Sequence, residues 1–339
     1  MTRAGTDAGL LAPVSARRAL PAGSVRRPLR ADASRVGLCL SGGGYRAMLF
    51  HVGALRALAV RGRLAGVTDL SGVSAGALVA ACLARAGSAV RAASTPERVL
   101  VEVVARVERP LRRLARRTLD RPAFFAALLG RGTGADRLAR ALARHLVGSA
   151  TFADLPQQPR LHVTSTRLED GGLWCFDRAH AGASPSLARA LAASCAFPPW
   201  LAPLALEGVG TLVDGGVVDN LGLETLWPAC ATIYASDAGA PLELAHGARW
   251  GAVRVGARAV QVLQREVGDL RRRQLGACFA RPRGDALSRR GALWSLADGR
   301  RPDLARTPTR LAALAPDAID ALIRAGEDAC ARALDLSRR

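Results

Sequence analysis

Leu70-Ser-Gly-Val-Ser-Ala-Gly-Ala-Leu-Val-Ala-Ala-Cys-Leu-Ala84 is the stretch on which the fold turns. It contains Gly72-Val73-Ser74-Ala75-Gly76, a Gly-x-Ser-x-Gly pentapeptide. That pattern marks a sharp strand-to-helix turn with a strained serine, and the flanking glycines leave room for neighbouring chain. Val67 to Leu70 read as the end of a short strand and Ala75 to Ala84 as a helix of good formers. Ser74 Oγ is therefore expected at a helix N-terminus, where developing negative charge is favoured.

Upstream, the apolar strand Arg35-Val-Gly-Leu-Cys-Leu40 runs into Ser41-Gly42-Gly43-Gly44-Tyr45-Arg46-Ala47 and then a helix to about Val60. Consecutive glycines ahead of a helix let backbone N–H groups gather around an anion. Gly42, Gly44 and Ala47 also fit a dinucleotide fingerprint, which requires an acidic residue closing the next strand. Here that strand closes in the serine turn, and Asp69 lies within it. A Walker P-loop is excluded because the chain contains no Lys. Parallel strands bring the glycine loop and Ser74 to one sheet edge, as acyl transfer needs: donors for an oxyanion beside a nucleophile.

Downstream, Arg91 to Val147 reads as helical and basic, with Arg112, Arg113, Arg116 and Arg117 clustered on one helix. This is either a solvated face or an interfacial lid. Arg160–Thr166 and Leu173–Phe176 read as a hairpin decorating the sheet, and Leu187 to Ser194 as a short helix. Phe197-Pro-Pro-Trp-Leu-Ala-Pro-Leu204 is an apolar loop that either packs or floors an acyl pocket. The strand Gly208–Val213 ends in Asp214-Gly215-Gly216, a carboxylate at a strand's C-terminal end followed by glycines that admit another loop. Asn220 is expected to cap a helix over Leu221–Trp227, and Ala231–Ser236 is a strand ending in the rival carboxylate Asp237. A long helix from Ala248 to Gly276, a strand at Gly291–Leu296 and a helix from Pro316 to Leu336 complete the chain.

The 339 residues are 50% hydrophobic, enough for a full core, and carry a formal charge of +20. Such charge suits an anionic surface, membrane or nucleic acid. With aromatics at 4% and no RNP-like or zinc-finger spacing, nucleic acid is not expected as a partner. Seven dispersed cysteines without Cys-x-x-Cys point to reduced thiols and a cytoplasmic location, and the positive charge and the arginine cluster to peripheral contact with an anionic membrane. The uncharged run Leu70–Ala84 is too short to span a bilayer, and no signal peptide is read at the N-terminus.

Three motifs thus stand in order: Gly42-Gly-Gly-Tyr-Arg-Ala47, Gly72-Val-Ser-Ala-Gly76 and Asp214-Gly-Gly216. Together with Ala192-Ala-Ser-Cys-Ala-Phe-Pro-Pro199 and the run to Asn220, they resemble the patatin-like lipid acyl hydrolases over roughly Val36 to Asp237. The resemblance implies a three-layer α/β/α sandwich with a mostly parallel sheet and a Ser–Asp dyad, with no metal and no cofactor. It implies Ser74 as nucleophile, Asp214 as base and the amides of Gly42, Gly43 and Gly44 as oxyanion hole, with Gly72, Gly76, Gly215 and Gly216 as supporting loop residues. Ala47 departs from the glycine common in the family. The expected layout is a basic tail (1–34), a catalytic domain (35–238) and a mainly helical extension (239–339). The substrate is expected to be a phospholipid or lysophospholipid ester. Two other readings stay open: an esterase with a Ser74–Asp214–His246 triad, and a non-catalytic lipid-binding protein of the same fold.

Overall fold

The computed structural model describes residues 31–120, 134–180, 185–198, 200–239, 241–242 and 251–337. Eight strands form one sheet: β1 (Asp32–Leu40), β2 (Asp69–Val73), β3 (Arg160–Arg167), β4 (Leu173–Phe176), β5 (Leu204–Leu206), β6 (Gly210–Asp214), β7 (Cys230–Asp237) and β8 (Arg290–Ser295). Their order is β5-β6-β3-β2-β1-β7-β8, with β4 paired to β3 outside that path. The run β3-β2-β1-β7-β8 is parallel, whereas β4, β5 and β6 pair antiparallel. The described helices are α1 (Gly44–Val60), α2 (Ala75–Ala92), α3 (Pro96–Val103), α4 (Arg109–Ala115), α5 (Gly134–Leu142), α6 (Leu187–Ser194), α7 (Gly216–Asp219), α8 (Ala252–Phe279), α9 (Pro302–Ala305) and α10 (Pro316–Leu336).

Alternation along the strands builds three layers. Leu38, Leu40 and Tyr234 point into the larger core, shared with α1, α2, α6 and α10. Their neighbours Cys39, Ile233 and Ala235 point into a smaller core with Leu221, Leu226 and Leu275. By length and composition α2 could cross a membrane, yet most of it is buried within the protein. The closing helix α10 sits hard against α1, because a Cβ on Gly53 would lie 1.9 Å from Ile323 O and one on Gly326 would lie 1.8 Å from Phe50 O. Two glycines let these backbones touch.

Four expectations change. β1 begins at Asp32, inside the expected tail, because its exposed polar end still pairs with Cys230 of β7 across a shift in register before Val36. The hairpin is no decoration: β3 is an interior strand bonded in parallel to β2, and only β4 hangs off it. β6 runs antiparallel to β3, so Asp214 does not reach the site by the parallel-strand rule. Finally, 221–227 forms turns rather than a helix. The expected cap is supplied by Asp219, whose carboxylate accepts N–H bonds from Leu221, Gly222 and Glu224.

Candidate active site

Ser74 joins β2 to α2 with φ 53° and ψ −126°, the one non-glycine residue of positive φ among the described residues. Such a conformation costs about 1–3 kcal/mol and persists where its surroundings hold it. They do so here. The Ser74 N–H donates to Ser194 Oγ at 2.8 Å, and the Ser74 carbonyl accepts from Ala77 N–H at 2.9 Å. Gly76 allows α2 to pass over β1, since a Cβ there would lie 2.2 Å from Leu40 O. Gly72 does the same within the turn, 2.5 Å from Ala77 Cα.

The glycine loop leaves β1 beside this turn. A Cβ on Gly42 would lie 3.2 Å from Ser74 Cβ and 2.5 Å from Asn220 Oδ1. Gly43 and Gly44 both have positive φ, at 143° and 64°. The Gly42 N–H donates to Asn220 O at 3.1 Å, so this amide is committed to tying two loops together and is withdrawn from the expected oxyanion hole. Gly43 is the N-cap and Gly44 the first residue of α1, where N–H groups have no acceptor within the helix. Their amides, together with the positive end of α1, remain as donors for an anion.

Asp214 arrives from the opposite direction. In the β-ladder Val73 pairs with Thr164 and Asp214 pairs with Ser165. Asp214 is therefore level with Ser74, with the single strand β3 between them. Its backbone is fixed by Asp214 N–H to Ala196 O and Thr166 Oγ1 to Asp214 O, both at 3.0 Å. The residues after it turn sharply: a Cβ on Gly215 would meet Thr164 O at 2.4 Å, and Gly216 N–H donates to Asp214 Oδ1 at 2.8 Å. Burial raises the carboxyl to about 7, and hydrogen bonds from the Ser74 side chain and Gly216 N–H offset part of that rise. A carboxylate that hydrogen-bonds a serine and titrates near neutrality can take up the serine proton.

Both groups open on a cavity of about 710 Å³. Phe197, Trp200 and Leu201 line it, so the apolar loop contributes to the cavity; Pro199 lies outside the described residues. The face of α8 bearing Arg258, Arg265 and Arg272 lines another side. The segment 305–311 closes over the glycine loop, with Tyr45 N–H donating to Arg310 O at 2.9 Å. Arg46 holds that segment from below, donating to Thr307 O at 2.5 Å and to Ala238 O at 3.1 and 3.2 Å. A helix periodicity in arginine at 258, 265 and 272 was the available signal for α8; nothing local marked 305–311.

The remaining candidates lie elsewhere or are engaged. Asp237 ends β7 and lines the cavity, but it is paired with Arg272 and accepts from Ser295 Oγ at 3.3 Å and Gly239 N–H at 2.9 Å. His246 lies outside the described residues. No histidine lines the cavity among the described residues. His51 is buried beneath the glycine loop between Ser236 Oγ (2.7 Å) and Ser41 O (2.8 Å), and burial lowers it to about 4. In the basic helix, Arg112 pairs with Glu108 at 2.7 Å and with Asp320, leaving Arg113, Arg116 and Arg117 exposed. Arg112 is therefore drawn into ion pairs while the other three face solvent.

A family model described as patatin-like phospholipase matches residues 38–227. Among solved structures, human GIVD cytosolic phospholipase A2, solved with methyl gamma-linolenyl fluorophosphonate, is similar with a TM-score of 0.52 and 16% identity. The match covers 90% of this chain and 59% of that one. VipD from Legionella pneumophila matches with a TM-score of 0.44 and 15% identity, over 96% of this chain and 73% of that one. No curated protein matches the sequence.

Proposed function

The chain belongs to the patatin-like phospholipase family, and from that premise we propose that it is a serine acyl hydrolase acting on phospholipid or lysophospholipid esters through Ser74 and Asp214 alone. One observation carries this reading. Ser74 and Asp214 line one cavity and stand level on either side of β3, burial raises the Asp214 carboxyl to about 7, and no described histidine reaches the cavity.

In the proposed reaction Ser74 Oγ attacks the ester carbonyl carbon while its proton passes to Asp214. The carbonyl oxygen becomes an oxyanion held by the Gly43 and Gly44 N–H groups. The tetrahedral intermediate collapses, the C–O bond breaks, and the alcohol departs with the proton from Asp214. A water then gives its proton to Asp214 and attacks the acyl-enzyme. The carboxylic acid is released and Ser74 recovers its proton.

The cavity supports a lipid with an anionic headgroup. Phe197, Trp200 and Leu201 offer apolar contact for an acyl chain, and the arginines of α8 face the same space. Outside the cavity, α8 exposes Val255, Val262, Leu263 and Leu270, and Trp200 is exposed at its rim. An apolar stripe on an arginine-rich helix suits peripheral contact with an anionic bilayer from the cytoplasmic side. This relocates the membrane face from the basic helix α4 to α8.

The test is lipid mass spectrometry after incubation of the pure protein with vesicles of mixed neutral and anionic phospholipids. Free fatty acid and lysolipid, or the deacylated headgroup from lysolipid, should appear with wild type. Ser74→Ala should lower their release by about three orders of magnitude or more. Release within tenfold of wild type would remove Ser74 as nucleophile. A large loss in His246→Ala would restore the triad.

A further inference from the structure

A second cluster of chemically competent side chains lies away from the cavity, where β3, β2 and β4 meet. The register of the hairpin creates it. Val163 pairs with Phe176 and Thr164 with Cys175, so His162 stands across from Asp177 and one step diagonal from Cys175, all on one face of the sheet. The side chains converge. Cys175 Sγ is 3.7 Å from His162 Nδ1, His162 Nδ1 is 3.6 Å from Asp177 Oδ2, and Cys175 Sγ is 4.0 Å from Asp177 Oδ2. Among the described residues this is the one group of His, Cys and acidic side chains with ligand atoms this close.

We propose that His162, Cys175 and Asp177 bind a zinc-type divalent cation that ties β4 to the interior strand β3. The ligand types fit: thiolate, imidazole and carboxylate are the donors zinc takes, and the two anionic ones balance its charge. The spacing fits as well. With metal–ligand bonds of about 2.0–2.3 Å, donor atoms around a tetrahedral ion stand roughly 3.3–3.6 Å apart. Each observed separation is within a few tenths of an ångström of that range, so a small inward rotation of the side chains seats the ion. His162 and Asp177 are buried and Cys175 is half-buried, which leaves the fourth position to water on the Cys175 side.

The surroundings of the imidazole supply an independent observation. A metal-bound histidine turns its other nitrogen to a carboxylate, which fixes the tautomer and the ring. His162 Nε2 is buried, has no hydrogen bond within normal geometry, and faces Asp69 Oδ1 at 3.5 Å. Asp69 is itself held in place by Arg35, Arg160 and Thr68. With Nε2–H directed at Asp69, Nδ1 presents its lone pair to Cys175 and Asp177. His162 pairs in register with Ser71, three residues before Ser74, about 10 Å along the strand. The site is thus a fastening of the sheet, separate from the cavity chemistry.

The full-length protein, reduced and dialysed against a chelator, is titrated anaerobically with Co2+. One equivalent should bind with a thiolate-to-cobalt charge-transfer band, and Zn2+ should displace it. Cys175→Ser should abolish the band, and Asp177→Asn should weaken Co2+ binding by at least about tenfold. Circular dichroism identifies the folded variants. If Cys175→Ser does not fold, loss of Cys175 alkylation in the wild type on adding Zn2+ reads the same contact. Wild type that takes up no stoichiometric Co2+ would overturn the site and leave His162 as an imidazolium between Asp69 and Asp177. A band that survives in Cys175→Ser would overturn it equally, because the thiolate would belong to another cysteine.

Discussion

Two buried carboxylates, Asp69 at the start of β2 and Asp214 on β6 level with the far end of β2, have opposite fates. At the start of β2, Asp69 is fully buried and ringed by donors: Arg35, Arg160 and Thr68. Burial alone would raise its carboxyl, but those hydrogen bonds more than reverse the rise and hold it far below the usual range. On β6, Asp214 is just as buried, yet its partners are the Ser74 side chain and the Gly216 N–H, and its carboxyl stays raised at about 7. In a chain with 48 arginines, the Asp214 carboxyl stays raised because the groups that offset its burial are a hydroxyl and a backbone amide rather than a guanidinium. Burial makes a carboxyl basic only where cations are kept away.

The largest test of this contrast is Asp214→Asn. Removing the proposed proton acceptor should lower kcat by about 10²–10⁴, whereas Asp237→Asn, whose carboxylate is paired with Arg272, should cost about tenfold or less. Steady-state hydrolysis of a soluble short-chain ester distinguishes them, and the reverse order would move the base to Asp237. The same variant has a second readout. The folded carboxyl, raised from 3.8 to about 7, keeps a proton that the unfolded chain has released, so stability falls as pH rises through that window. Asp214→Asn does not titrate. Above about pH 7 it should be more stable than wild type by roughly 2–4 kcal/mol, and near pH 4 the difference should vanish. Denaturant melts at the two pH values check this.

At the Asp69 end the sign reverses. Arg35→Gln combined with Arg160→Gln leaves a buried carboxylate without its cations and should cost about 3–5 kcal/mol. Protein that remains folded at low temperature should keep its kcat, because the strand separates this end from the cavity. A fall in kcat without a fall in stability would show that the two carboxylates are coupled.

The contrast also explains what was legible in the sequence. Ser74 and the glycine loop were readable because each is a contiguous motif at the end of a parallel strand, and backbone sterics demand those glycines. Asp214 was readable as a residue, but for the wrong structural reason: it reaches the site on an antiparallel strand, level with Ser74 through β3. The loss of Gly42 as a donor was hidden, since it depends on Asn220 O, 178 positions away in a turn read as a helix cap. Arg112 looked like part of a free patch because its partner Asp320 lies on α10. Local backbone demands write themselves into short patterns. Pairings between distant side chains do not, and those pairings decide which charges remain available.

The finest test adds to Asp214 what Asp69 already has. A Cβ placed on Gly216 would lie 3.0 Å from Asp214 Oδ1 and 3.1 Å from Gln264 Nε2. The Gln264 amide is therefore within about 6 Å of the carboxylate, inside the range over which a cation lowers a carboxyl pKa by about 1–3. Gln264→Arg should shift the acidic limb of the kcat/KM profile from near 7 to at least about 1 pH lower. The sign follows from the proposed role: a base works deprotonated, so a cation that favours the anion extends activity toward acid. The same cation weakens the base, so the plateau rate above pH 8 should fall by severalfold. Gln264→Met removes the amide without adding charge and should leave the midpoint in place. If Gln264→Arg lowers the plateau while the midpoint stays at 7, the titrating group is not the carboxylate beside Ser74, and the contrast between Asp69 and Asp214 does not set the base.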